Sequence, residues 1–217
     1  MTNPPRGEDV IRHVREQIVT GQVRAGTFLR LDRLAEEAGV SVTPVREAMM
    51  QLRSQGFVEW QPRRGFVVLQ LTGDDIRDIY QVQAFVAAEL VRRAVRRLSQ
   101  VDVDNLEGLQ DRLEDAHAQG QADDVEQLNH EFHRELNTAA LSPRLAHLLR
   151  TFTQYAPRLF FAEIEGWSEA SASDHRAIIA AIRRGDADAA ADAMAEHISR
   201  AGTLLADHID RQQGQPT

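Results

Sequence analysis

The sequence predicts a mainly α protein: an N-terminal winged helix-turn-helix, three helices plus a β-hairpin, followed by an all-α antiparallel helical bundle. Three observations predict it. Within the first 70 of 217 residues, three short helical patterns lead into two β-favouring runs around a Pro- and Gly-containing turn. From Leu71 onward only helical periodicity recurs, broken by clusters such as SQVDVD, QGQADD, LSP and RRGDAD. The composition, 42% hydrophobic and 27% charged without a membrane-length apolar run, suits one large globular domain or two small ones.

Residues 8–20 set Val10, Val14 and Ile18 with Ile11 on one helical face, and Gly21 stops the pattern. A second short helix spans residues 32–38 (DRLAEEA) and ends at Gly39. A third opens at Thr43-Pro44, with Thr43 as the expected N-cap and Pro44 at the first helical position. Its apolar side is Val45, Ala48, Met49 and Leu52, spaced i, i+3, i+4, i+7. After Gly56, residues 57–60 and 66–69 read as strands around QPRRG, a five-residue hairpin loop. Segments near 73–99, 103–119, 122–140, 143–163, 172–184 and 186–210 read as helices. The expected domains are 1–70 and 71–212, with 213–217 (QGQPT) as a disordered tail.

The chain has no cysteine, which removes disulfides, thiolate metal sites and cysteine nucleophiles together. Its start, MTNPPRGEDV, lacks the basic-then-apolar pattern of a secretory signal, so a cytoplasmic protein without a membrane partner is expected. The net charge of −8 is unevenly spread: residues 1–70 carry 10 Arg and 8 acidic residues, whereas 71–217 carry 15 Arg and 25 acidic residues. A mildly basic front on an acidic body permits a nucleic-acid partner for the front alone.

In a winged helix the third helix lies in the major groove, and its N-terminal residues reach base edges. That end offers Ser41, Thr43 and Arg46. An arginine can grip guanine O6 and N7 with two hydrogen bonds, while hydroxyls and free backbone N–H groups suit phosphate oxygens. Arg63, Arg64 and Gly65 at the hairpin tip suit a minor groove or flanking phosphates. An isolated arginine pair in a turn is usually just a solvated charge run. Helix, cap and hairpin in this order favour a reader of double-stranded DNA.

The stretch LDRLAEEAGVSVTPVREAMMQLRSQGFVEWQPRRGFVV resembles the winged-helix signature of the GntR family of bacterial regulators across residues 8–70. The resemblance implies DNA contacts at Ser41, Thr43, Arg46 and the wing around Arg64-Gly65. Two positions depart from the family pattern. Val42 stands where an arginine that reads a base is common, and Asp32 stands near another frequent polar contact, with Arg33 adjacent.

In the second domain, His133, His175 and His197 fall on the apolar faces of three different helices, and Asn129 lies one turn before His133. Residues alone leave two readings: a divalent metal held by three imidazoles with the Asn129 oxygen, or three separately hydrogen-bonded core histidines. The segments NHEFH (129–133), DHRAII (174–179) and EHI (196–198) are similar to the FCD effector domain of the FadR-like branch of that family. The resemblance implies a metal, with zinc, nickel and manganese as the candidates, and Asn129 in place of the usual aspartate. Many members also have an effector-gripping arginine where Gln83 stands, and a glutamate at Ala87. Arg158, with Tyr155 nearby, is the substitute candidate for holding an effector, and a solvated surface arginine is the other reading. Phe152, Phe160, Phe161 and Trp167 read as core rather than pocket lining.

The expectation is therefore a metabolite-responsive regulator, not an enzyme. A homodimer would present two readers to a pseudo-palindromic operator. A small-molecule effector, an organic acid, would bind at or near the His-lined site, with relief of repression as the commoner arrangement in the family. Two rivals are a metal-dependent hydrolase using the three histidines and a winged helix serving protein–protein contact. Neither an HExxH motif nor a nucleophile elbow is present to support the first.

Overall fold

The computed structural model describes residues 7–156, 161 and 166–214. The described residues divide into two compact units, one holding 7–72 with 209–214, the other lying within Gly73–His208.

In the first unit, α1 (Gly7–Val19), α2 (Leu31–Ala38) and α3 (Val42–Ser54) pack with a three-stranded antiparallel sheet. The α1 stripe Val10, Ile11, Val14 and Ile18 is buried, as is Val45, Ala48, Met49 and Leu52 of α3. Burial of each such large side chain contributes about 1.5–3 kcal/mol. Helix α2 stops at Gly39, whose φ of 65° is a left-handed conformation that glycine adopts without a Cβ penalty.

Three local expectations are corrected. The N-cap of α3 is Ser41, not Thr43, so Pro44 sits three residues into the helix. The first-turn N–H groups have no acceptor within the helix, so proline costs nothing at Pro44 either. The hairpin of β2 (Val58–Gln61) and β3 (Gly65–Val68) closes over three residues rather than five, because Gln61 and Gly65 already pair. Arg64 N–H donates to the Gln61 carbonyl at 3.1 Å, with Pro62 and Arg63 between them. Proline presets the first central residue, and Arg63 takes φ 66° at the second, the pattern of a type II turn. A third strand, β1 (Phe28–Leu29), was not foreseen; it pairs with β3, giving the order β1-β3-β2. That explains why Phe66, Val67 and Val68 of the central strand are all buried.

In the second unit, α4 (Gly73–Val95), α5 (Gln100–Ala118), α6 (Ala122–Ala139), α7 (Pro143–Phe152), α8 (Trp167–Arg183) and most of α9 (Ala187–Gly214) form the helical bundle. A reciprocal capping box between Ser99 and Asp102 starts α5 three residues before its expected onset. Helix α7 is shorter than the expected 143–163: it ends at Phe152 and gives way to a 3₁₀ turn, Thr153–Tyr155. Helix α9 continues to Gly214; the rest of the expected tail, 215–217, lies outside the described residues. Helix α9 meets α4 closely, and a Cβ added at Gly202 would lie 2.4 Å from the Tyr80 Cβ.

Two arginines zip α5 to α8. Arg176 pairs with Asp111 and Glu114, and Arg183 with Asp104 and Glu107. Later residues of α8 meet earlier residues of α5, so the two helices run antiparallel.

Candidate functional site

The three histidines foreseen as a cluster do converge. One ring nitrogen from each of His133 (α6), His175 (α8) and His197 (α9) lies within 4.8 Å of the others. The rings of His133 and His197 stack at 5.3 Å, and His175 meets them at 5.2 and 4.8 Å. The floor is aromatic: Phe132 stacks on His175 at 4.1 Å, and buried Trp167 lies 5.8 Å from His197.

Burial sets the charge state of this cluster. Desolvation, reinforced by the charge of His197 and His130, pushes His133 down to about 3. Burial, reinforced by His197 and His133, holds His175 well below the usual histidine range. Both are therefore neutral at physiological pH, the form that carries a lone pair for a metal.

Each of the last two histidines is held from behind. His175 Nδ1 lies 2.8 Å from Gln110 Oε1, and the opposite nitrogen, Nε2, is buried without a hydrogen-bond partner. His197 Nδ1 lies 3.2 Å from Asp174 Oδ2, and Arg200 grips both oxygens of that carboxylate at 2.7 and 2.8 Å. Burial pushes the Asp174 carboxyl up, but the bonds from His197 and Arg200 outweigh it and hold it below the carboxylate range. An orphaned buried acceptor costs about 1–3 kcal/mol. A cation shared by three neutral imidazoles removes that cost, so the residues fit a divalent metal with nitrogen preference.

Asn129 is half-buried on α6, one turn before His133. Of the expected effector residues, Gln83 is buried with its Oε1 unpartnered, Tyr155 is half-buried in the 3₁₀ turn, and Arg158 lies outside the described residues. Gln110 and Asp174 are the residues that reading the sequence missed. Asp174 adjoins His175 within DHRAII, a signal available in the sequence, although its partner proves to be His197.

In the other unit, Ser41, Thr43 and Arg46 are exposed along the first turn of α3, and the Ser41 hydroxyl makes no capping bond. Arg63 and Arg64 are exposed at the hairpin tip; the Arg64 guanidinium lies over the Phe28 ring, 4.2 Å from its centroid. Gly65 has φ 95° and a Cβ there would come within 3.7 Å of the Leu29 carbonyl. Arg33 is exposed and paired with Glu37 at 2.7 Å, which raises its pKa through that hydrogen bond first and the carboxylate charge second.

Against known proteins, the description "Bacterial regulatory proteins, gntR family" matches residues 6–68, and "FCD domain" matches residues 78–200. The chain belongs to the GntR family of transcriptional regulators, in its FCD-domain branch. It is similar to the HTH-type transcriptional regulator McbR of Escherichia coli (strain K12), at 23% identity over 203 residues, covering 91% of each chain. The Nta operon transcriptional regulator of Aminobacter aminovorans is 30% identical over 151 residues, 69% of each chain. The solved structure of E. coli McbR/YncC covers 96% of this chain and 99% of its own, with a TM-score of 0.71 at 22% identity, a likeness of fold. As a member of this family the chain is a transcriptional regulator with an FCD effector domain rather than an enzyme, which leaves the hydrolase reading without support. Among the described residues, no helix is long and apolar enough to cross a membrane.

Proposed function

We propose that residues 1–70 read a pseudo-palindromic DNA operator and that residues 71–212 bind an effector and a metal and join two copies into a homodimer. The carrying observation is the cluster of buried His175 and His197 with half-buried His133, with its unpartnered His175 Nε2, in a family of transcriptional regulators. In the reader, Arg46 supplies the base contact, Ser41 and Thr43 the phosphate contacts, and Arg63, Arg64 and Gly65 the wing. Arg33 is the weakest member of this set, because it must exchange Glu37 for a phosphate.

In the effector unit His133, His175 and His197 would hold a divalent ion, zinc, nickel or manganese, with Asn129 as the oxygen neighbour. Such an ion would supply a positive charge for the carboxylate of an organic acid. Phe132 and Trp167, which stack on the cluster, would exclude water, and Gln83, Tyr155 and Arg158 are the residues we assign to the effector. Effector binding changes DNA affinity only as far as it favours one dimer geometry over another. A cytoplasmic repressor relieved by its effector is the arrangement this supports.

The test is selection of duplexes from a random pool by the purified protein, followed by titration with and without zinc and with candidate carboxylic acids. Recovery of a two-fold repeated sequence, bound by two chains and released by an acid, supports the reading. Absence of duplex binding at low salt sinks it.

A further inference from the structure

The orphaned His175 Nε2 sits at the end of a hydrogen-bond chain whose direction is fixed from the surface. Arg176 donates through Nε and Nη2 to the two Glu114 oxygens, each at 2.9 Å, and also to Asp111 at 2.7 Å. Glu114, held as a carboxylate by that guanidinium, can only accept. The Gln110 side chain lies 2.9 Å from Glu114 Oε1 and must therefore turn its NH₂ toward it. The amide oxygen is then left for His175, 2.8 Å from Nδ1. An oxygen acceptor requires the proton on Nδ1, and a neutral imidazole has only one.

We propose that Arg176, Glu114 and Gln110 form a one-way relay that fixes His175 as its Nδ1–H tautomer and leaves the Nε2 lone pair free for the histidine cluster. Gln110 is thus a positioning residue. It is buried to 0% exposure on a helix whose other buried residues are the apolar Val103, Leu106, Leu113 and Ala116, and only a primary amide of this length both accepts from an imidazole and donates to a carboxylate. A glutamate in its place would set two carboxylates face to face; a leucine would leave both neighbours unmet. His197 reaches the same tautomer in one step, since Asp174 is itself an acceptor. The two rings thus present equivalent nitrogens, one backed by a neutral amide and the other by a carboxylate. The consequence for metal affinity rests on the metal reading above; the tautomer does not.

The experiment uses the full-length protein, stripped with chelator, in four forms: wild type, Gln110→Leu, Glu114→Gln, and Gln110→Glu combined with Glu114→Gln. In the double variant the new carboxylate at 110 accepts from His175 and from the new amide at 114, so the relay runs the same way with its parts exchanged. The readouts are the His175 ring ¹⁵N shifts and zinc affinity by competition with a chromophoric chelator. In the wild type, Nδ1 is expected to be pyrrole-type and Nε2 pyridine-type. Gln110→Leu should lose this signature and weaken zinc binding by about 10–100-fold. Glu114→Gln should mix the tautomers, and the double variant should restore both readouts.

The relay is overturned by the Nε2–H tautomer in the wild type, or by a Gln110→Leu protein with unchanged shifts. Should that variant not fold, an unmixed Nδ1–H tautomer retained in Glu114→Gln overturns it equally. A wild type with the expected tautomer that takes up no zinc supports the relay and removes the metal reading instead.

Discussion

Arg64 rests its guanidinium on the ring of Phe28, joining the tip of the wing to a strand of two residues. The exposed arginine at the hairpin turn is therefore held in place before any partner arrives. A cation over an aromatic ring at an exposed site such as the wing tip contributes about 0.5–1 kcal/mol. Phe28→Ala should weaken duplex binding by roughly two- to five-fold with the salt slope unchanged. Arg64→Ala should weaken it further and reduce the slope by about one. Fluorescence anisotropy at several salt concentrations separates the two.

Arg46 is exposed on α3 and has no ion-pair or hydrogen-bond partner among the described residues. Arg46→Ala is expected to cost about 1–3 kcal/mol of operator affinity and to relax sequence preference at one position of each half-site. The melting temperature should stay within error of the wild type. Unchanged selectivity would remove Arg46 from the reader.

Zinc added at about a hundred times its dissociation constant should stabilise the protein by about 2.7 kcal/mol. His175→Ala should abolish that gain. Asn129→Asp, which restores a negative oxygen beside His133, should raise affinity by about ten-fold if the side chain reaches the ion. Calorimetric melting with and without metal decides both; equal affinities would place Asn129 outside the site.

Metal-free protein should lose stability in mild acid. His133 binds its proton near 6.5 when unfolded but is pushed down to about 3 when folded, and burial acts on His175 in the same direction. Between those values the unfolded chain holds more protons, so stability is complete above about 6.5 and declines as pH falls toward 3. Urea midpoints measured at about pH 7.5 and about pH 5 should differ, and His133→Leu should shrink the difference.

Gly202→Ala should destabilise the protein even though alanine is the better helix former by about 1 kcal/mol. The new methyl would lie 2.4 Å from the Tyr80 Cβ and 2.6 Å from its Cγ, and neither atom can swing away as the end of a side chain can. Overpacking of this kind costs about 1–3 kcal/mol, and the net sign follows from it. A raised denaturation midpoint would show that α4 and α9 can part at no cost.

What the sequence disclosed and what it withheld divide along a physical line. Periodicity located the packed stripes of α1 and α3, because Val45, Ala48, Met49 and Leu52 carry their burial in their spacing. It also located the three histidines, each of which shares a stripe with buried neighbours such as Ile178 and Met194. Strand β1 stayed hidden because two residues have no alternation to read; pairing with Phe66 and Val67 makes them a strand. Proline at 44 was compatible with either of two caps, and only the backbone at Ser41 chose between them. The end of α7 at Phe152 was missed because Tyr155 and Ala156 extend the helical spacing past it at i+3 and i+4. Gln110 looks like a surface residue in LEGLQDRLED, and its partner lies 65 residues away. No local pattern encodes that contact.

The arginine zipper between α5 and α8 has a translational ambiguity. Its acid pairs, Asp104 with Glu107 and Asp111 with Glu114, repeat after seven residues, as do Arg176 and Arg183. Sliding one helix two turns along the other would re-form half of these ion pairs in an equivalent setting, so surface charge alone defines the alignment only modulo a heptad. The single amide at Gln110 does not repeat. Any slip by a heptad parts it from His175 and leaves their 2.8 Å contact unmade. The polar contact inside the bundle thus acts as the index mark of a vernier whose outer scale is the arginine zipper.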